Sequence, residues 1–285
     1  MQPSVSALPF ADPVSLYVPI EQARKAGELR RGEYQSARPF PHIVLDNFLP
    51  EDLARRILSE FPSALSSMKK GMVQYEHGYV GGQHKKQFDP NFLATPFARA
   101  VFQFLNSASV LQYVEGVTGI EGLLCDPYFD GGGFHEISPG GRLGIHADFR
   151  INKRLSMQRR VNLLLYLNEN WQSSWGGALE LWERNMQRCV RSVEPVFNRC
   201  VIFNTDADSF HGHPDPLKAP TGVTRKSIAT YYYTASRSLY DEVPDKPTDY
   251  RVRPGDGLSV RSEKCWSNMK KRTKHLLQRL GSKSE

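Results

Sequence analysis

"LLCDPYFDGGGFHEISPGGRLGIHADF", residues 123–149, decides the fold class. Its β-prone runs are cut by glycine clusters at Gly131–Gly133 and Gly140–Gly141, and no apolar residues recur at helical spacing. The same texture continues downstream in "RVNLLLYLNE" (160–169), "GALELWE" (177–183), "RCVIFNT" (199–205) and "RKSIATYYYT" (225–234). Turn signals such as Trp175-Gly176-Gly177 and Glu194-Pro195 separate these runs. Many short strands with no helices between them predict an antiparallel sandwich or barrel. Upstream the texture differs. "FPHIVLDNFLP" (40–50) alternates like an opening strand, and "EDLARRILSEF" (51–61) spaces Leu53, Ile57, Leu58 and Phe61 as one helical face. A second helix is predicted over "TPFARAVFQFLNSASVLQYVEGVTG" (95–119). Helices first and strands afterwards predict an α+β fold, mainly a β core, with bracing helices that are mostly N-terminal.

The divisions expected along the chain are a loosely fixed lead-in over 1–35, with a short helix in "PIEQARKAGELRR", a domain over 36–237 with its strand-rich core at about 122–236, and a basic extension over 238–285 with a helix at 264–280. The chain has 285 residues, 40% hydrophobic and 24% charged, as in an ordinary globular protein. Its net charge of +7 suggests nucleic acid until it is localised. From Arg261 onward there are eight Lys/Arg against two Glu, so the tail holds +6 and the body is nearly neutral. Nucleic acid and membrane spans are therefore not expected as partners; no apolar run approaches the roughly 20 residues a span needs. Four scattered cysteines without C-x-x-C exclude a zinc ribbon or a disulfide framework, and with no signal peptide visible a cytoplasmic location is expected.

Within the quoted stretch, His146 and Asp148 stand two apart, and on a strand such residues point to one face. Alone, H-x-D is common and means little. A metal site would need a third donor from a later strand. His42, His77, His84 and His275 suit surface or structural roles, which leaves His211 and His213 in "DSFHGHPDPL" (208–217). Two histidines and one carboxylate form a facial triad with open positions, the arrangement of non-haem ferrous oxygenases. Zinc would ask for a closed tetrahedral set or a single water. Beyond these histidines, Arg225 and Ser227 are again two apart, and a buried guanidinium beside a hydroxyl makes a good carboxylate anchor. Arg160 and Lys226 are the alternative anchors.

Taken together, H-x-D, "RRVNLLLYLNENW", "WGGALELW", "VEPVFNRCVIFN", "FHGHPDPL" and "RKSIATYYYT" resemble, in order and spacing, the prolyl-4-hydroxylase-like branch of the iron(II)/2-oxoglutarate-dependent dioxygenases. The likeness runs from about Tyr128 to Thr234, and "PFPHIVLDNFLP" resembles the opening of the domain in bacterial members. It implies a double-stranded β-helix, a jelly roll. It implies His146, Asp148 and His211 as iron ligands, with His213 as the alternative third, and Arg225 on the distal carboxylate of 2-oxoglutarate. Tyr166 would bond the same carboxylate, while Asn162 and Leu164 share its strand face along the co-substrate pocket, with Ser227 beside Arg225. Tyr128, His135, Glu136, Arg142 and Arg150 are expected around the mouth as substrate contacts.

The implied reaction is hydroxylation of an unactivated C–H bond with 2-oxoglutarate, O2 and Fe(II), yielding succinate and carbon dioxide, with ascorbate as a stimulant. Asp148 points to hydroxylation, because related halogenases carry a small residue at that position. The substrate is a prolyl residue or a small molecule. The competing reading is a catalytically inactive jelly-roll scaffold, which would be expected to have lost one of His146, Asp148, His211 or Arg225; all four are present.

Overall fold

The computed structural model describes residues 6–11, 16–62, 71–75, 82–235, 247–266 and 269. Its N-terminal half is helical. The elements there are α1 (Ile20–Glu28), α2 (Arg31–Ser36), β1 (His42–Leu45), α3 (Glu51–Ser59), β2 (Met72–Tyr75), β3 (Gln83–Phe88), α4 (Pro90–Leu93), α5 (Pro96–Leu105) and α6 (Ala108–Thr118). The strand-rich half contains β4 (Leu124–Cys125), β5 (Gly133–Ala147), β6 (Ile151–Asn152), β7 (Met157–Tyr166), β8 (Leu179–Trp182), β9 (Cys189–Val193), β10 (Arg199–Asn204), β11 (His211–His213), β12 (Arg225–Ala235) and β13 (Asp249–Tyr250).

Every strand pairing is antiparallel, and the main path runs β1-β10-β7-β12-β5-β11-β8-β9. The 15-residue β5 lets this path fold over on itself. Its first part, Gly133–Ile137, pairs with β12 on one side and β3 on the other. Its last part pairs with β11 and β13. Between the two lies Ser138-Pro139-Gly140-Gly141, with Gly140 at φ 78, where a side chain would be strained. The result is a nearly closed, barrel-like jelly roll.

Period-two alternation assigns the faces. On β7, Val161, Leu163 and Leu165 join the large core beneath the helices, as do Cys200 and Ile202 on β10 and Ile228 and Tyr232 on β12. The opposite faces, including Asn162, Leu164 and Tyr166, look into the barrel. The expected opening strand and its following helix form as β1 and α3.

Three expectations require correction. The helix predicted over 95–119 is two helices, because Ser107 caps a new one: its hydroxyl accepts from the Val110 amide (3.5 Å), while Asn106 leaves the helical conformation. The described part of the lead-in is packed, not loose, with Val18, Ala23 and Tyr34 buried. Here α1 crosses α6 at a glycine pair, Gly27 and Gly116, and Arg24 ties the crossing to Glu115 (3.1 Å) and Glu121 (2.6 Å). Finally, helix begins earlier in the tail than expected, at 258–266; nearly all of 267–280 lies outside the described residues. Among the described residues no helix is long and apolar enough to cross a membrane.

The crossing makes a prediction. A Cβ on Gly27 would stand 2.2 Å from the Tyr113 carbonyl oxygen, and one on Gly116 2.5 Å from that of Arg24. Gly27→Ala should therefore destabilise the protein by about 1–3 kcal/mol through overpacking, despite the roughly 1 kcal/mol alanine gains over glycine within a helix. Urea unfolding measures this, and an unchanged midpoint would mean the helices do not meet there.

Candidate metal centre and co-substrate cavity

His146 and His211 are direct register partners across β5 and β11, so their rings meet, with centroids 4.5 Å apart. Asp148 follows one residue after β5 ends. Its Oδ1 lies 3.5 Å from His146 Nε2 and its Oδ2 3.5 Å from His211 Nε2. One donor atom from each of the three residues lies within 4.8 Å of the others. His213, two residues on, is not in this cluster. It lines the cavity instead, buried, and its Nδ1 has no hydrogen-bond partner among the described residues.

The donor chemistry fits a divalent metal. His146 Nδ1 lies 2.8 Å from the Gly144 carbonyl oxygen and His211 Nδ1 2.9 Å from that of Ser209. A carbonyl can only accept, so each Nδ1 donates and each Nε2 keeps its lone pair toward the cluster. Burial lowers the His211 pKa to about 4, so its ring is neutral at pH 7. Burial pushes the Asp148 carboxyl up, but the groups around it, the Arg159 guanidinium foremost, together hold it well below its ordinary range. The three ligand-type groups therefore offer two imidazole nitrogens and an anionic oxygen.

Asp148 is fixed by a buried clamp. Its Oδ2 accepts from Asn162 Nδ2 (2.8 Å) and lies 3.0 Å from Arg159 Nη2. Arg159 also donates to Asn162 Oδ1 through Nε and Nη2, at 2.9 and 2.7 Å. The Tyr231 ring covers the guanidinium, its centroid 3.4 Å away. With Oδ2 engaged, Oδ1 is the oxygen left for a metal.

Beside the cluster lies a cavity of ≈ 250 Å³. Arg225, Ser227, Tyr166, Asn162 and Leu164 all line it, as the sequence suggested. Arg225 is buried and oriented by Nε donation to the Gly177 carbonyl (2.7 Å), and its Nη2 reaches the Tyr166 hydroxyl at 3.3 Å. The strand register sets Ser227 between His135 and Tyr166.

Of the five expected mouth residues, only His135 lines the cavity. Glu136 alternates to the other face, where it accepts from the Thr224 hydroxyl (2.8 Å) and faces Lys226 (3.8 Å). Tyr128 sits on the outside under the Arg154 guanidinium, 3.2 Å from its ring centroid. Arg142 precedes the cavity-lining Leu143 and is paired in register with Gln83, outside the lining. Arg150 lies beyond it too, where its carbonyl accepts from the Arg159 amide (2.8 Å).

Several lining residues were not anticipated: Lys85 and Gln87 from β3, Arg159, Thr248 and Tyr250. Strict alternation along β7 would place Arg160, not Arg159, beside Asn162. The register slips between Tyr232 and Tyr233, which face Val161 and Arg159, so a bulge at Arg160 brings Arg159 inward. Tyr250 comes from the segment taken as a tail extension. Strand β13 adds to β5 beside the metal cluster and stacks the Tyr250 ring on His146, centroids 5.1 Å apart. The extension therefore begins beyond the site rather than at 238.

The sequence profile of the 2OG-Fe(II) oxygenase superfamily matches residues 132–233. Prolyl 3-hydroxylase OGFOD1 of Mus musculus is 32% identical over 82 residues, or 27% of this chain and 15% of that protein. The chain thus spans only a small part of the curated relative it matches. Among solved structures, a prolyl hydroxylase from Trichoplax adhaerens, in complex with a hypoxia inducible factor oxygen degradation domain peptide fragment, aligns with a TM-score of 0.53 at 19% identity. That alignment covers 75% of this chain and 91% of the other. A Pseudomonas putida prolyl-4-hydroxylase aligns with a TM-score of 0.49 at 24% identity, covering 73% and 98%.

The clamp can be tested without turnover. Arg159→Met leaves a buried carboxylate short of its cation, a loss of about 3–5 kcal/mol. Adding Asp148→Asn should return part of it. A double-mutant cycle followed by urea unfolding checks this, and additive losses would show the two residues are not coupled.

Proposed function

We propose that this chain, whose residues 132–233 match the profile of the 2OG-Fe(II) oxygenase superfamily, is an iron(II)- and 2-oxoglutarate-dependent hydroxylase. The observation that carries the reading is the convergence of His146, Asp148 and His211 beside a cavity that the buried Arg225 also lines. Iron(II) bound there with 2-oxoglutarate supplies oxygen activation, giving succinate, carbon dioxide and a hydroxylated C–H bond.

The chain's own residues prepare that chemistry. His146 and His211 present Nε2 because backbone carbonyls hold their Nδ1 protons. Asp148 presents Oδ1 because Arg159 and Asn162 hold Oδ2. Arg225 and Tyr166 receive the distal carboxylate of 2-oxoglutarate, with Ser227 alongside and Leu164 against its methylene carbons. Tyr250 and Phe149 exclude water from the metal side. The buried guanidinium gains in strength because its charge is desolvated before the carboxylate arrives. Whether the hydroxylated carbon belongs to a prolyl residue, as the names of the similar proteins suggest, or to a small molecule turns on the rest of the cavity wall. The four cysteines are free, which suits a reducing compartment such as the cytoplasm.

The test combines binding and turnover. His211→Ala and Asp148→Ala should abolish iron-dependent succinate formation in protein that still melts cooperatively, whereas His213→Ala should retain iron binding. Arg225→Met should weaken 2-oxoglutarate binding by about 2–4 kcal/mol, roughly 30- to 1,000-fold, with partial recovery in Arg225→Lys. Titration calorimetry on the Mn(II)-loaded protein reads this. Wild-type affinity in Arg225→Met would remove the anchor from this site.

A further inference from the structure

His211 and His213 both come from β11 and both line the cavity, yet only His211 joins the metal cluster. The difference lies in what holds Nδ1. In His42, His146 and His211 that atom lies 2.8–2.9 Å from the carbonyl oxygen two residues earlier, that of Phe40, Gly144 and Ser209. With the ring proton on Nδ1, Nε2 keeps the lone pair. His213 makes no such bond. Its Nδ1 is sealed from solvent and has no hydrogen-bond partner among the described residues. A buried N–H without an acceptor is rarer in folded proteins than a buried acceptor without a donor. The single proton of a neutral His213 ring therefore belongs on Nε2, the reverse of the two ligand-type histidines. An Nε2 that carries a proton is a donor and has no lone pair for a metal. His213 is thus built for a different partner.

The neighbouring strand locates that donor. Strand β8 pairs Leu181 with His211 and Glu180 with Gly212, so the antiparallel run carries His213 toward Leu179, another cavity residue. Two residues before Leu179, the Gly177 carbonyl accepts from Arg225 Nε. Along this edge the order is His211, His213, Arg225, with the metal cluster at one end and the candidate anchor at the other. A co-substrate that spans the two passes His213. Arg225 alone does not saturate a carboxylate. Its Nε is engaged by Gly177, and its Nη2 reaches the Tyr166 hydroxyl at 3.3 Å. A carboxylate offers about four lone-pair sites, and a buried acceptor left unsatisfied costs free energy. The hydroxyls of Tyr166 and Ser227 supply donors from one sheet, and His213 Nε2–H supplies one from the other.

We propose that His213 is a positioning residue for the co-substrate, donating its Nε2 proton to the distal carboxylate of 2-oxoglutarate together with Arg225. This rests on the hydroxylase reading and adds to it a buried residue that the metal triad and the arginine leave without a task.

The experiment separates co-substrate positioning from metal binding. Mn(II) is titrated into the full chain, and 2-oxoglutarate into the Mn(II)-loaded chain, for wild type, His213→Phe, His213→Gln and His213→Asn, with thermal melting as the check on folding. His213→Phe should leave Mn(II) affinity within about threefold while weakening 2-oxoglutarate about 10- to 100-fold, the scale of a lost hydrogen bond to a charged group. A glutamine amide nitrogen falls near the place of Nε2, and an asparagine one near that of Nδ1. His213→Gln should therefore regain most of the affinity and His213→Asn none. Where His213→Phe does not fold, the difference between glutamine and asparagine decides. In a double-mutant cycle with Arg225→Lys the losses should be coupled, because the two side chains hold one carboxylate. Side-chain nitrogen NMR of the isotope-labelled, Zn(II)-loaded chain should find the His213 proton on Nε2. Loss of Mn(II) binding in all three variants would make His213 a metal ligand and overturn the proposal. So would unchanged 2-oxoglutarate affinity in His213→Phe, no advantage of glutamine over asparagine, additive losses with Arg225→Lys, or a ring proton on Nδ1. A wild-type chain that binds Mn(II) but no 2-oxoglutarate would instead sink the hydroxylase reading itself.

Discussion

The pairing of His146 with His211 across β5 and β11 is the constraint on which the candidate site depends. Two imidazoles can face one point only if their strands run antiparallel and in that register, and a slip of one residue would turn either ring away. The register is held from both sides. Beyond His146, β13 adds a further strand and stacks Tyr250 on the ring. Beyond His211, β8 pairs Leu181 against it. The earlier half of β5 is locked independently between β3 and β12, so one strand connects the wall that carries Arg225 to the wall that carries His146 and His211. The candidate anchor and the two histidines are thus spaced by a continuous backbone rather than by loops.

Buried charge is the second organising theme. Lys85, Arg159 and Arg225 are three fully or nearly buried cations in one cavity. Each would be expensive alone. Arg159 is compensated within the protein by Asp148, the Asn162 amide oxygen and the Tyr231 ring. Among the described residues Arg225 has only neutral hydrogen-bond partners, a carbonyl and a phenol, and burial depresses its basicity. An anchor satisfied by its own carboxylate would be stable but useless for binding, whereas one held by neutral acceptors keeps its charge available to an incoming anion.

Much of this was legible from residue order, because it depends on local periodicity. The i, i+2 pairs His146/Asp148 and Arg225/Ser227, and the alternating Asn162, Leu164 and Tyr166, all line the one cavity, as spacing by two in or next to a strand predicts. Arg159 did not, because a bulge reverses the phase on β7 and no local residue announces it. Glu136 was misread for the complementary reason: alternation sends it out of the barrel while His135 points in. Lys85 and Tyr250 were invisible to strand-by-strand reading. Each reaches the cavity through pairing with β5, across about 50 residues from Lys85 and about 100 from Tyr250, and flanking sequence does not encode that. The continuous helix expected over 95–119 failed at a single hydroxyl, Ser107, whose capping bond competes with helix continuation.

The placement of β3 and β13 has a consequence for how the barrel is divided. Both flank β5 from outside the matched segment 132–233, one preceding it and one following it. Neither lies on the main strand path from β1 to β9. Through the backbone both help to hold β5, while through their side chains, Lys85 and Gln87 on one and Tyr250 on the other, they line the cavity. Such a layout divides labour within one barrel: the inner strands carry His146, His211 and Arg225, and the two outer ones shape the remaining wall.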